Sequence, residues 1–309
     1  MEPVPETGPA VLAFDVGGTT VKAEVLGPDL RTWARGTTGT PRGARVIDAV
    51  VDLAERLLDQ LTQQQRDDVA AVGLALPGIV DSERGVSVYA ANLDLRDEPL
   101  TGPVSRRLSL PVRLGHDVTV AAEAERRSGA ARDVVDPCVV VIGTGIAAVS
   151  YVHGRRVVGT SGQAGELGHV VVRPGGPVCG CGARGCLEAV ASASAVVRAY
   201  RERSGRDVSG AHEVVALLGR DAAADAVWEE ATSALADGLL MATAVLAPGA
   251  IVLGGGLAEA GAALVDPVTA WMKERATALT VPPLLTATLG SRAGVVGAGL
   301  IAFGEVEER

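Results

Sequence analysis

Aromatic residues are scarce in this chain, with three Trp, three Tyr and two Phe among 309 residues, which speaks against a surface that stacks nucleobases. Basic charge is short as well. Twenty-eight Lys and Arg face 37 Asp and Glu for a net charge of −9, so the field of the whole molecule repels a phosphate backbone and nucleic acid is not an expected partner. No window approaches the ~20 uninterrupted apolar residues of a membrane helix, and the opening MEPVPETGP lacks the basic and apolar regions of a signal peptide. A soluble, cytoplasmic protein without membrane contact is expected. Four cysteines are too few for a disulfide scaffold, and three of them crowd into 179–186, which points to metal.

What is present is a globular balance of 48% apolar and 21% charged residues, long enough for two domains of about 150 residues each. A polar lead of about ten residues precedes the apolar run 11–14 and is expected to leave no upstream module. Apolar residues recur at three- and four-residue steps over 45–61, which predicts a helix. Runs 69–76, 111–114, 138–142 and 146–152 read as strands, and 118–127, 193–203, 227–246 and 295–303 as helices. The polar stretch 128–136 is a candidate domain boundary. Residues 1–117 are expected to form a smaller α/β domain and 118–309 a larger one, with a closing helix at about 295–309 able to pack back on the first.

Both halves open alike, on a strand, a Gly/Thr turn and a second strand. In the first half these are 11–14, Asp15-Val-Gly-Gly-Thr-Thr20 and 21–26; in the second, 139–142, Gly143-Thr144-Gly145 and 146–152. Such a repeat suggests two related sheet domains facing across a cleft. Gly17 and Gly18 uncover backbone N–H groups, and Thr19 and Thr20 add hydroxyl donors, a set that suits an anion. A Walker loop or a dinucleotide fingerprint runs into a helix after its glycines. Here 21–25 alternates as a strand, so this is a hairpin-type phosphate turn. Asp15 is placed to hold Mg²⁺ directly or through water; an ordinary glycine hairpin with a solvated Asp is the plainer alternative. Gly143–Gly145 and Gly254-Gly255-Gly256 offer two further close-approach sites, and together the three turns suit a nucleotide.

Cys179-Gly-Cys181-Gly-Ala-Arg-Gly-Cys186 places three thiols on a glycine-rich loop, and His169 is the best fourth ligand for a closed three-Cys, one-His zinc site. Three reduced thiols without metal are the alternative. If one nitrogen of His169 binds the metal, the other is free to face a ligand. Glu166 and Glu188 bracket the same loop, and with the imidazole they make a cradle for vicinal hydroxyls. Cys138 reads as a buried small residue, and His153 and His212 as surface residues.

These pieces together resemble the ROK family of bacterial sugar kinases and sugar-responsive repressors. The matching segments are 15–20, Leu76-Pro-Gly-Ile-Val-Asp81, Ala91-Asn92-Leu93, His116-Asp117, Glu166-Leu-Gly-His169, the cysteine motif through Leu187-Glu188, and 251–256, and they span nearly the whole chain in family order. The resemblance implies the actin-like ATPase (ribonuclease H-like) α/β fold, two domains around a cleft, zinc, and a homo-oligomer, a dimer. It implies that Asp117 is the base that accepts the proton of the sugar 6-hydroxyl as it attacks the γ-phosphate of ATP. On position alone Asp117 reads as a helix N-cap. By the same resemblance Asn92, Glu166, His169 and Glu188 bind sugar hydroxyls, while Gly17, Gly18, Thr19, Lys22, Thr144, Gly145 and Gly254–Gly256 bind ATP.

Two departures stand out. His116 replaces the family's usual Asn, so the favoured substituent at the sugar's 3- and 4-hydroxyl edge is expected to differ, and kanosamine, a 3-amino analogue of glucose, joins glucose as a candidate. Ala147 and Ala148 replace glycines, and their Cβ atoms are expected to limit backbone approach to phosphate. An N-acetylmannosamine or fructose kinase, a weakly active sugar-binding protein and a repressor are the competing readings. The repressor needs a DNA-binding head, and with about ten residues ahead of the first strand none is expected.

Overall fold

A computed structural model describes residues 8–160 and 162–304. Residues 1–7 of the polar lead and 305–309 of the expected closing helix lie outside the described residues. The chain folds as two compact units, one made of residues up to Ala124 together with those from Arg292 onward, the other of Glu125–Ser291.

The first unit contains β1 (Ala10–Val16), β2 (Thr20–Leu26), β3 (Thr32–Gly39), α1 (Arg45–Leu58), α2 (Gln63–Asp67), β4 (Val69–Leu76), β5 (Ile79–Asp81), β6 (Val86–Ala90), β7 (Leu95–Pro99), α3 (Thr101–Leu108), β8 (Val112–His116) and the first two turns of α4 (Asp117–Ser128). The second contains β9 (Cys138–Ile142), β10 (Ile146–Val152), β11 (Arg155–Arg156), α5 (Leu187–Ala191), α6 (Ala193–Ser204), α7 (Ala211–Ala216), α8 (Ala222–Leu246), β12 (Ile251–Gly254), α9 (Ala262–Arg275) and β13 (Leu284–Thr286). Helix α10 (Ala293–Phe303) belongs to the first unit.

One topology serves both units. The first sheet runs β3-β2-β1-β4-β8 and the second β11-β10-β9-β12-β13. In each, the first hairpin is antiparallel and the two later strands lie parallel to its opening strand. The expected division after residue 117 moves into α4, because Val120 is buried in the first unit's cluster with Val11, Ala13, Val295 and Ala298. Strand β8 also continues past the expected end at 114 to include His116, which pairs with Leu76.

Helix α1 buries Val46, Val50, Val51, Leu53 and Leu57, each at most 2% exposed, and each contributes roughly 1.5–3 kcal/mol by leaving water. It lies on β3, where Gly36 leaves room for Leu53 and Leu57. Helix α10 lies on β4 so closely that a Cβ at Gly73 would come 1.8 Å from the Ala298 carbonyl oxygen. Arg292 fixes its start with two bonds to Glu24, at 3.0 and 2.7 Å. In the second unit α8 begins at Ala222, ahead of the expected 227, because Asp221 caps it by accepting the Ala223 and Ala224 N–H groups. No helix among the described residues is long and apolar enough to cross a membrane.

Candidate active site

In the first unit, the register of β1 and β2 sets Asp15 opposite Lys22 and leaves 17–19 as the turn. The Gly17 N–H donates to the Thr20 carbonyl at 3.0 Å, and Thr40 braces the turn by donating its N–H to Thr19 O at 3.0 Å and its hydroxyl to Gly17 O at 2.7 Å. Gly18 and Thr19 stay exposed. Asn92 lies on the tight turn between β6 and β7, anchored by the fully buried Leu93. A Cβ at Gly18 would lie 3.2 Å from the Asn92 amide nitrogen, so the glycine keeps that amide beside the phosphate turn.

Burial pushes the Asp15 carboxyl up to about 6, with Lys22 pulling it down and Asp117 adding to the rise. A carboxylate held this way gains from a cation. Gly294 gives it space, since a Cβ there would come 2.7 Å from the Asp15 carboxyl carbon. Sequence reading missed this glycine; the signal was the Gly294, Gly297, Gly299 spacing on an otherwise apolar helix.

His116 ends β8 and Asp117 opens α4. The Asp117 Oδ1 accepts the N–H of Val118, its immediate neighbour, at 2.7 Å, whereas an N-cap serves the second or third N–H beyond it. Asp117 is itself the first residue of α4. His116 Nε2 lies 3.3 Å from Oδ1, and its Nδ1 lies 3.5 Å from the Thr119 hydroxyl. Burial raises the Asp117 carboxyl, and His116 and the Val118 N–H pull against that rise. The group is a half-buried carboxylate with raised basicity at a strand-to-helix junction.

In the second unit, β9 and β10 pair up to Ile142 and Ile146, leaving Gly143, Thr144 and Gly145 as the turn. Gly143 N–H donates to Gly145 O, and Ala193 N–H donates to Gly143 O, both at 2.9 Å. Gly255, at φ +82°, backs onto Ile142, where a Cβ would come 2.5 Å from the carbonyl oxygen, so Gly254–Gly256 adjoins this turn. Ala147 and Ala148 are paired with Val141 and Val140 inside the ladder. They lie in β10, beyond the turn itself.

The described residues hold one group of four donor atoms suited to a metal, from His169, Cys179, Cys181 and Cys186, all within 4.8 Å of one another. His169 Nδ1 lies 3.6 Å from Cys179 Sγ, and Cys181 Sγ 3.8 Å from Cys186 Sγ. A tetrahedral zinc with Zn–S near 2.3 Å needs donor separations of about 3.8 Å. The set fits. Burial pushes the Cys186 thiol up to about 12, with the Cys181 and Cys179 thiols adding to it, so a cation would help that thiol give up its proton. His169 Nε2 faces Glu166 at 3.8 Å, leaving that ring edge on the exposed side of the loop. Glu188, which sequence reading assigned to sugar alone, accepts the Ile146 N–H through Oε2 at 3.0 Å. Cys138 is fully buried, and His153 and His212 are exposed, as expected.

A model of the ROK family matches residues 11–305. The chain belongs to the ROK family. It is 31% identical over 312 residues to the glucokinase of Halalkalibacterium halodurans, covering 93% of each chain. To the N-acetylmannosamine kinase of Shigella flexneri it is 31% identical over 301 residues, covering 96% of this chain and 99% of the other. The crystal structure of a ROK family glucokinase from Streptomyces griseus in complex with glucose and AMPPNP matches with a TM-score of 0.82 at 29% identity, covering 96% of this chain and 99% of that one. The two repeated sheets are those of the actin-like ATPase fold that ROK proteins share.

Proposed function

We propose that this ROK protein is an ATP-dependent sugar kinase that phosphorylates the 6-hydroxyl of a glucose-like hexose. The observation that carries the reading is Asp117, a half-buried carboxylate of raised basicity at the junction of β8 and α4. The sugar oxygen bonds to the γ-phosphorus of ATP, the bond from that phosphorus to the β-phosphate bridge oxygen breaks, and ADP leaves. Asp117 takes the hydroxyl proton. Such transfer depends on alignment and charge neutralisation more than on covalent chemistry, so one carboxylate base, Mg²⁺ and backbone donors would make a sufficient set.

Gly17, Gly18, Thr19 and Lys22 in one turn, and Thr144, Gly145 and Gly254–Gly256 in the other, contact the nucleotide. Asp15 would hold Mg²⁺, directly or through water, and the ion would supply neutralisation of phosphate charge. Asn92, His116, Glu166, His169 and Glu188 bind sugar hydroxyls. Cys179, Cys181, Cys186 and His169 would hold Zn²⁺, which would supply a fixed shape for the loop that carries His169. The likeness to a glucokinase solved with glucose and AMPPNP supports the nucleotide and the hexose. The likeness to an N-acetylmannosamine kinase keeps that sugar in the panel, and His116 adds kanosamine, because a neutral imidazole accepts a bond from an ammonium group. A cytoplasmic homodimer completes the proposal.

The test is coupled ADP release over glucose, kanosamine, N-acetylmannosamine and fructose, with zinc-replete protein. Sugar-stimulated turnover is expected for a glucose-type hexose, and Asp117→Ala lowers it by about 10²–10⁴-fold while sugar affinity stays within about twofold. No turnover with any hexose, or full turnover in the variant, overturns the reading.

A further inference from the structure

Three loops of the second unit converge on one residue, Ile146, which follows the Gly143–Gly145 turn. Its N–H donates to Glu188 Oε2 at 3.0 Å. Its carbonyl oxygen lies against Gly168, where a Cβ would come within 2.2 Å of it and 3.3 Å from Glu188 Cβ. The turn has no side-chain room on the same side, since a Cβ at Gly145 would stand 2.4 Å from Glu188 Oε2. Glu188 in turn is two residues beyond the metal ligand Cys186, and the Leu187 N–H between them donates to Val170 O at 2.9 Å, next to His169. Ala193, just past α5, donates its N–H to Gly143 O.

Helix α5 is five residues long, too short to hold its shape unaided. Its start is set by Cys186, which pairs with Val171 in an antiparallel bridge and supplies one of the four donors of the metal group, so a shared cation would tie α5 to His169, Cys179 and Cys181. We propose that Glu188 is a positioning residue that ties the metal loop to the Gly143–Gly145 turn, so that metal occupancy sets nucleotide affinity even with no sugar present. One carboxylate oxygen is committed to the Ile146 N–H. The other has no protein partner among the described residues and is left for a sugar hydroxyl. Metal loss then weakens both ends of the reaction through one side chain. This inference rests on the reading of Thr144 and Gly145 as nucleotide contacts.

The test titrates ADP calorimetrically, without sugar, into zinc-replete protein, chelator-stripped protein, Glu188→Gln and Glu188→Ala, and follows hydrogen exchange of the Ile146 amide in the same four samples with no nucleotide. The Gln variant keeps an acceptor oxygen for the amide and is expected to match the native protein. Loss of that hydrogen bond in the Ala variant and in stripped protein is expected to weaken ADP binding about five- to tenfold. Stripping the Ala variant adds no more than about twofold, since both changes break one link. Exchange at Ile146 is expected to accelerate in both, with 139–141 in β9 unchanged. Native-like ADP affinity in Glu188→Ala, or native-like exchange in it and in stripped protein, overturns the coupling. If exchange responds but native protein binds no ADP, the nucleotide reading of the turn fails while the mechanical link stands.

Discussion

The turns at 17–19 and 143–145 join equivalent strands of two sheets with the same order, and each acquires an acidic neighbour by a different route. In the first, Asp15 is part of the strand itself, faced by Lys22 across the hairpin and held with a raised pKa of about 6. In the second, β9 reads CVVVI and carries no acid. The carboxylate arrives from Glu188, 42 residues along the chain, and is bonded to the backbone beside the turn. A repeated scaffold thus supports two distinct electrostatic tips. One has a charge waiting for a cation. The other has a charge already spent on shape.

The comparison breaks first at Asp15. Asp15→Asn is expected to lower turnover with Mg²⁺-ATP by about a hundredfold, as removal of a cation-holding carboxylate removes phosphate neutralisation. Its effect on stability runs the other way. A carboxyl raised from 3.8 to about 6 stabilises the fold when protonated, and that contribution fades as pH rises through about 6. The Asn variant therefore melts higher than the native protein in Mg²⁺-free buffer at about pH 8, with the gain shrinking toward about pH 5. A lower melting temperature at the higher pH would remove the cation-waiting account of the first turn.

Metal removal probes the second turn. One zinc equivalent by elemental analysis is expected, and stripping it raises the sugar KM by roughly 10–100-fold, with recovery on adding zinc. An unchanged KM would show that the Cys/His loop is shaped without a cation. The smallest effect concerns sugar choice. His116→Asn is expected to shift the ratio of kcat/KM values, glucose over kanosamine, by about three- to tenfold toward glucose, the worth of one hydrogen bond in discrimination. An unchanged ratio leaves His116 as a neighbour of Asp117 and nothing more.

Much of this was legible before the fold was known. The hairpins were written in β-branched runs interrupted by glycines, α1 in its three- and four-residue periodicity, and the metal loop in the spacing of three cysteines. The rest depended on partners far along the chain. The β5-β6-β7 sheet was invisible because its strands are short and β7 reads LRDEP. Glu125 reads as an ordinary charged helical residue, yet it is 2% exposed. Its carboxylate accepts the Ala130 and Leu289 N–H groups at 2.8 Å and that of Thr288 at 3.2 Å. Two of those donors lie more than 160 residues away. The dual position of Glu188 escaped for the same reason: its spacing within the cysteine motif says nothing about Ile146.

The close seat of α10 on β4, with backbone at Gly73 nearly touching backbone at Ala298, has a consequence for biosynthesis. Domains generally fold as they leave the ribosome, amino-terminal first. Here the sheet that is translated earliest lacks one of its covering layers until residues 293–303 emerge, whereas the contiguous 125–291 segment has everything it needs sooner. The unit begun first is completed last, and during that interval the apolar face of β1 and β4 is what a chaperone would find.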